Sequence, residues 1–132
     1  KVEWADVLVL KGDLDGARTV LATIADDAEG RDRPQTRIEL AEEAAGMGTL
    51  DEARTAVAAD DGDLEAKYRF SVLSSVAGQY EAALDAAMAI LQNDREFRND
   101  IGRTTMIRIM SLLSKDSDLA KRYRRRMFNV MH

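Results

Sequence analysis

The chain has 132 residues, of which 45% are hydrophobic and 33% are charged, and its formal net charge is −5. This length and composition are typical of one soluble domain that buries a core of its own, and they argue against a disordered chain. The absence of cysteine excludes disulfides, a thiolate nucleophile and thiolate metal ligands.

Hydrophobic patterning also bears on where the protein works. No apolar run approaches the roughly 20 residues that a membrane-spanning helix needs, and no secretory signal opens the sequence. We therefore expect a cytoplasmic protein. The sequence begins at Lys1 without a methionine, which suggests a piece of something longer.

Apolar residues recur at helical spacing along the chain, and turn residues separate the segments. The predicted helices cover about residues 2–11, 14–25, 35–47, 50–59, 64–77, 80–93, 100–114 and 118–130. Residues 26–34 have loop composition and end at Pro34, which suits the start of a helix. The pattern predicts an all-α fold.

Three turns share the pattern Gly-x-(Leu/Tyr)-x-x-Ala, beginning at Gly12, Gly48 and Gly78. Their spacing brackets the roughly 34-residue period of the tetratricopeptide repeat, a pair of antiparallel helices. Each glycine is predicted to supply the positive φ that ends a first helix. The helices that follow have these predicted N-caps: Asp13, Thr49 in a capping box with Glu52, Asp63, and either Asn99 or Asp100, with Gln79 a poorer cap.

The apolar stripes predict which faces are buried. In the first helices of the pairs they are Trp4 with Leu8, Leu40 with Ala44, and Phe70 with Leu73 and Ala77. In the second helices they are Ala17, Leu21 and Ile24, and Ala83, Ala87 and Ile90, while Tyr123 and Phe128 are expected to face inward in the last helix.

One hairpin cannot bury its own apolar face, so the pairs must stack. We predict a single domain over residues 1–132, a right-handed stack of about four antiparallel helix pairs. The repeat pairs are about 2–25, 35–59 and 64–93, and a capping pair follows at about 100–130.

From Leu64 to the end, the sequence resembles the C-terminal tetratricopeptide region of the YbbN-like thioredoxin family, whose members are also called chaperedoxins. The resemblance rests on the tyrosine-containing helix before GQYEAAL, on the stretch NDREFRND that leads to GRTT, and on the short loop with Asp118 before YRRR. Residues 2–62 fit the same region through the turns GDLDGA and GTLDEA.

The resemblance implies a co-chaperone. In that family a thioredoxin-like domain precedes the repeats, and the proteins hold unfolding clients and cooperate with chaperone machines. This sequence has no thioredoxin-like strand pattern and no Cys-x-x-Cys motif, so the resemblance covers the helical portion only. It implies a non-catalytic module that docks chaperones or clients, with a structural module for self-association or domain orientation as the alternative.

In such an array the first helix of each pair lines a concave groove. Alignment on the turn glycines places these residues there: Val2, Asp6, Val9 and Leu10; Ile38, Glu42 and Ala45; Tyr68, Val72, Ser75 and Val76. Because they are mostly apolar or acidic, an apolar or basic peptide, or a helix, suits this groove better than an acidic tail. The alternative is that these side chains are core, or are covered by the chain's own helices.

A second candidate surface is the basic run KRYRRR at residues 121–126, with Arg122, Arg125 and Arg126 as binding candidates. A nucleic-acid role is a distant alternative, because the chain is acidic overall. A solvated cap, or a docking strip for an acidic partner, is the preferred interpretation. Asp118 is placed to pair with Arg122 one helical turn later.

Nothing in the sequence supports catalysis. The acidic residues at 60–65 lack the spacing of a calcium-binding loop, and His132 is the only histidine. The glycines lie at turns and not in a phosphate-binding loop. We expect no enzyme activity, no cofactor, no metal, and neither nucleic acid nor membrane as a partner.

Overall fold

The structure, a computed structural model, describes residues 2–24, 32–114 and 116–131. In this part of the chain there are eight helices and no strand, which confirms the all-α prediction. The helices are α1 Val2–Leu10, α2 Leu14–Ala22, α3 Asp32–Ala45, α4 Leu50–Ala59, α5 Leu64–Val76, α6 Tyr80–Asn93, α7 Ile101–Ser111 and α8 Asp118–Met131. Most of the predicted linker, residues 26–31, and the side chain of Val2 lie outside the described part.

The turn glycines have the predicted backbone conformation, with φ of 85°, 82° and 82° at Gly12, Gly48 and Gly78. In the α1–α2 turn the N–H of Gly12 donates to the carbonyl of Val9, and the next N–H reaches back to Leu8. The α5–α6 turn repeats this bonding pattern. These bonds satisfy carbonyls at the ends of α1 and α5, so both helices end two residues before the glycine.

Local hydrogen bonds begin three of the helices as predicted. The side chains of Asp13 and Asp63 accept from the backbone in the first turns of α2 and α5. Thr49 and Glu52 form a complete capping box at the start of α4. These caps act within four residues, which is why the sequence alone identifies them.

The entry to α7 differs from the prediction. Arg98, Asn99 and Asp100 have φ of 48°, 58° and 66°, three consecutive left-handed residues without a glycine. Asp100 takes the N-cap position, but its carboxylate accepts from Arg103 at 2.6 Å and makes no cap bond. Such a conformation costs roughly 1 kcal/mol or more per residue, so contacts elsewhere must hold it.

The helices group into two units. Helices α1, α2 and α3 pack on one another, and α4 to α8 form a second set in which α5 packs on α4 and α6, and α6 packs on α7 and α8. Within the described residues, the backbones of the consecutive helices α3 and α4 are not in contact, although Ala53 of α4 lies in the same buried cluster as Leu40 and Ala44 of α3. Instead α3 packs on α5 and α7.

The direction of α3 follows from its side-chain contacts. Glu43, near its end, bonds to Tyr68 near the start of α5, and Arg37, in its first half, bonds to Tyr80 just beyond the end of α5. Helix α3 therefore runs antiparallel to α5.

Three predicted core positions are exposed: Trp4, Ala77 and Phe128. In α1 the buried face contains Ala5 and Asp6, because Asp6 forms ion pairs with two arginines of α3. Trp4 is thereby turned to solvent. The stripes of the second helices are confirmed at Ala17, Leu21, Ala83, Ala87 and Ile90, and Tyr123 is buried as predicted.

Candidate functional site

Three of the predicted groove residues lie in the core. Tyr68 and Val72 share a cluster with Leu40 and Ala44 of α3, and Ile38 packs with Ala17 and Leu21 of α2. This corrects the expectation that the side chains of Ile38, Tyr68 and Val72 line an open groove. The residues that α3 covers, Tyr68, Val72 and Leu73 of α5 together with Arg108 of α7, are called here the α5–α7 trough.

The error in α3 has a simple cause. Three residues join α1 to α2 and α5 to α6, but four, residues 46–49, join α3 to α4. Alignment on Gly48 therefore displaces α3 by one residue. Arg37 and Ala41 line the open surface in place of Ile38 and Glu42, and Glu42 accepts a hydrogen bond from Arg18 at 2.7 Å.

A polar cluster joins α3 to the trough. The carboxylate of Glu43 accepts from the hydroxyl of Tyr68 and from the guanidinium of Arg108. Arg98 lies over the Tyr68 ring, 4.8 Å from its centroid, and donates to Glu65 at 3.0 Å. The left-handed segment thus places Arg98 against α5, and these contacts help to hold its backbone.

Burial raises the pKa of Tyr68, and the hydrogen bond to the Glu43 carboxylate raises it further. The pKa of Tyr123 is raised in the same way by burial and by Asp85. In both cases the folded chain favours the neutral phenol, since a phenolate would lie beside a carboxylate in a poorly solvated site.

The raised pKa of Tyr68 predicts a loss of stability in alkali. The contribution of Tyr68 to the free energy of unfolding is fully present below the pKa of about 10 that tyrosine has in the unfolded chain. It is lost as pH rises through the higher pKa of the folded state. In urea unfolding between pH 8 and 11, the free energy of unfolding should fall more steeply for the wild type than for Tyr68→Phe. Equal slopes for the two proteins would contradict this assignment.

An apolar pocket of about 210 Å³ opens beside α3. Val9 and Leu10 of α1, Leu40 and Ala41 of α3, and Val76 of α5 contribute to its wall, and it is called here the Leu10–Val76 pocket. Four predicted groove residues lie in this lining: Val9, Leu10, Ser75 and Val76. Ser75 is itself buried, and its hydroxyl donates to the carbonyl of Val72 at 2.7 Å.

The basic residues of α8 divide between two roles. Arg122 donates to Glu81 of α6 at 3.3 Å, not to Asp118, and Arg126 pairs with Asp85 of α6 at 3.8 Å. Both guanidiniums also lie over the Tyr123 ring. Two of the three candidate arginines thus attach α8 to α6, whereas Arg125 is exposed and borders a shallow surface with Phe128.

Two further findings concern other kinds of site. Among the described residues, no group of three or more histidine, cysteine, aspartate or glutamate side chains is placed to hold a metal ion. Over the same residues, no helix combines the length and the apolar character needed to cross a membrane.

Comparison with known proteins agrees with the helical pairing in the second half. No curated protein matches the chain. A tetratricopeptide repeat family profile matches residues 42–132, which include α4 to α8 and the last residues of α3. Repeats of this type mediate protein–protein interactions through the surfaces of their stacked helices. The chain belongs to the tetratricopeptide repeat family.

Proposed function

We propose that the chain is a non-catalytic protein-binding module whose Leu10–Val76 pocket receives an apolar side chain of the partner. The observation that carries this proposal is the position of Leu10 and Val76, which are 62% and 43% exposed and line the same concavity. Single exposed apolar residues are ordinary on protein surfaces. Two that converge on an apolar pocket are typical of a binding site.

The charge in the pocket wall supports an apolar ligand over an acidic one. The guanidinium of Arg37 lies 3.1 Å from the Asp6 carboxylate and donates to the hydroxyl of Tyr80 at 3.0 Å. Arg37 therefore already has two polar partners, although it shares the Asp6 carboxylate with Arg33. A partner's carboxylate would have to compete with Asp6, whereas a leucine or phenylalanine side chain needs only the apolar wall.

The finer role we propose is docking of unfolding clients or of a chaperone, as in the thioredoxin-fold co-chaperones that the sequence resembles. Unfolding proteins expose apolar side chains, which is the chemistry that this pocket accepts. The family match supports protein binding at the coarser level. The cytoplasmic location and the absence of catalysis stay predictions.

Aspartate at the pocket should weaken binding at least tenfold, because burial of one leucine side chain stabilises a complex by about 1.5–3 kcal/mol. We expect this for Leu10→Asp and for Val76→Asp, with a labelled, permanently unfolded, leucine-rich polypeptide as the probe and fluorescence anisotropy as the measurement. Ile107→Asp is the matched control, because Ile107 is also 43% exposed but lies outside the pocket lining. Equal binding by all three variants would refute the proposed site.

A further inference from the structure

The first three helices are attached to the rest of the chain through one helix. Among the described residues, α3 is the element that packs across the boundary between α1–α3 and α4–α8, against α5 and α7. Leu40 and Ala44 enter the apolar cluster of the α5–α7 trough, and Glu43 supplies the carboxylate that Tyr68 and Arg108 share. Helix α3 thus occupies the trough as a bound helical ligand would.

The connection after α3 is suited to a hinge. Residues 46–49 join two helices whose backbones are not in contact, although Ala53 of α4 shares a buried cluster with Leu40 and Ala44 of α3, and both glycines in this connection are exposed. Gly48 has a φ of 82°, in the region that glycine adopts without steric cost. Within this connection, the packing of Met47 against the buried cluster would have to break if the α1–α3 unit moved away.

The family match covers α4 to α8 and only part of the α1–α3 set. It begins at residue 42, so it contains the helices that form the trough but only the end of the helix that fills it. Helices α5 and α7, which form the trough, lie wholly within the matched residues.

We propose that α3 is a displaceable ligand of the α5–α7 trough, and that an amphipathic helix of a partner protein takes its place when the α1–α3 unit moves out. The partner helix has the pattern that α3 presents: a leucine, then a glutamate three residues later and an alanine four residues later, as in Leu40, Glu43 and Ala44. Arg108 and the Tyr68 hydroxyl make this end of the trough complementary to a glutamate of an acidic helix.

This proposal goes beyond the Leu10–Val76 pocket, and the two sites exclude each other. Leu40 and Ala41 of the seated α3 form part of the pocket wall. The pocket therefore exists in the closed form, and the free trough exists in the open form. Because α3 is tethered, its effective concentration is of millimolar order, so a partner helix must bind well or α3 must be weakened before exchange is observed.

The test uses the full chain and a fluorescent, N-acetylated peptide of residues 32–45, read by anisotropy. In the Glu43→Ala chain the resident helix loses its carboxylate, while Tyr68 and Arg108 remain available to the peptide. We expect the peptide to bind this variant at least tenfold more tightly than the wild type. The Glu39→Ala chain is the control and should behave as the wild type, because Glu39 is exposed and bonds to Gln35 on the same helix.

Equal binding of the peptide to all three chains would overturn the proposal, and so would unchanged binding when the peptide itself carries Glu43→Ala. Dimerisation of the Glu43→Ala chain in light scattering, with loss of peptide binding, would also overturn it, because a second copy would then fill the trough. Leu10→Asp distinguishes the two sites. It should weaken binding of the unfolded polypeptide probe at the Leu10–Val76 pocket, and it should leave binding of the peptide to the Glu43→Ala chain unchanged.

Native-state hydrogen exchange of the wild type covers the case in which Glu43→Ala fails to fold. The slowest amides of α1–α3 should share one opening free energy, lower than that of the slowest amides of α5 and α6. Equal protection in the two units would contradict displacement of α3.

Discussion

Gly102→Val is expected to lower the free energy of unfolding by about 3 kcal/mol, which corresponds to a fall in melting temperature of about 10 °C. Gly102 lies in the first turn of α7, where α7 meets the backbone of α6. A Cβ at this position would lie 2.8 Å from the backbone nitrogen of Leu91 and 3.2 Å from the carbonyl oxygen of Ala87. A helix backbone cannot move aside as a flexible side chain does, so α6 and α7 must separate.

Thermal and urea unfolding measure this effect, and Gly46→Ala is the control. A Cβ at Gly46 has the Glu43 carbonyl oxygen, at 3.9 Å, as its nearest neighbour. We expect its stability to change by less than about 0.5 kcal/mol. The loss of stability in Gly102→Ala should lie between the losses in Gly46→Ala and Gly102→Val. A Gly102→Val chain as stable as the wild type would contradict the close packing of α6 and α7.

Glu43→Lys is expected to lower the free energy of unfolding by about 2–3 kcal/mol, because it places a cation beside Arg108 and leaves the Tyr68 hydroxyl without its acceptor. Breaking a fully buried pair costs about 3–5 kcal/mol. The Glu43 side chain is 34% exposed and that of Arg108 is 20% exposed, so solvent screens part of this cost.

The neighbouring Glu42 provides the control, since its pair with Arg18 is about half exposed on both sides. Glu42→Lys should change stability by less than about 1 kcal/mol. Adding Arg108→Glu to the Glu43→Lys chain restores opposite charges and should recover part of the loss. If both lysine variants were equally stable, the contact of Glu43 with the trough would make no special contribution to the free energy of unfolding.

The elements that the sequence predicts well are the ones that local interactions decide. A cap such as Asp13 or Thr49 bonds within its own first turn, and a turn glycine acts through its own φ. These signals fix where helices begin and end. They carry little information on what a finished helix packs against.

The candidate site was harder to predict because it depends on one extra residue and on a tertiary contact. The fourth residue in the α3–α4 connection displaces the repeat alignment, and this explains why Arg37 and Ala41 were missed. Both Gly46 and Gly48 are visible in the sequence, so the ambiguity could have been noticed. The packing of α3 on α5 and α7 could not be predicted from the sequence, because an apolar stripe has the same period whichever neighbouring helix covers it.

Occupation of the α5–α7 trough by α3 is the central claim, and methyl NOE spectroscopy of the full chain tests it most directly. The account predicts NOEs from the methyl groups of Leu40 and Ala44 to the side chains of Tyr68 and Val72, which share one buried cluster. NOEs from Leu40 and Ala44 to α4 alone, with none to α5, would show a regularly paired α3 and would contradict the account.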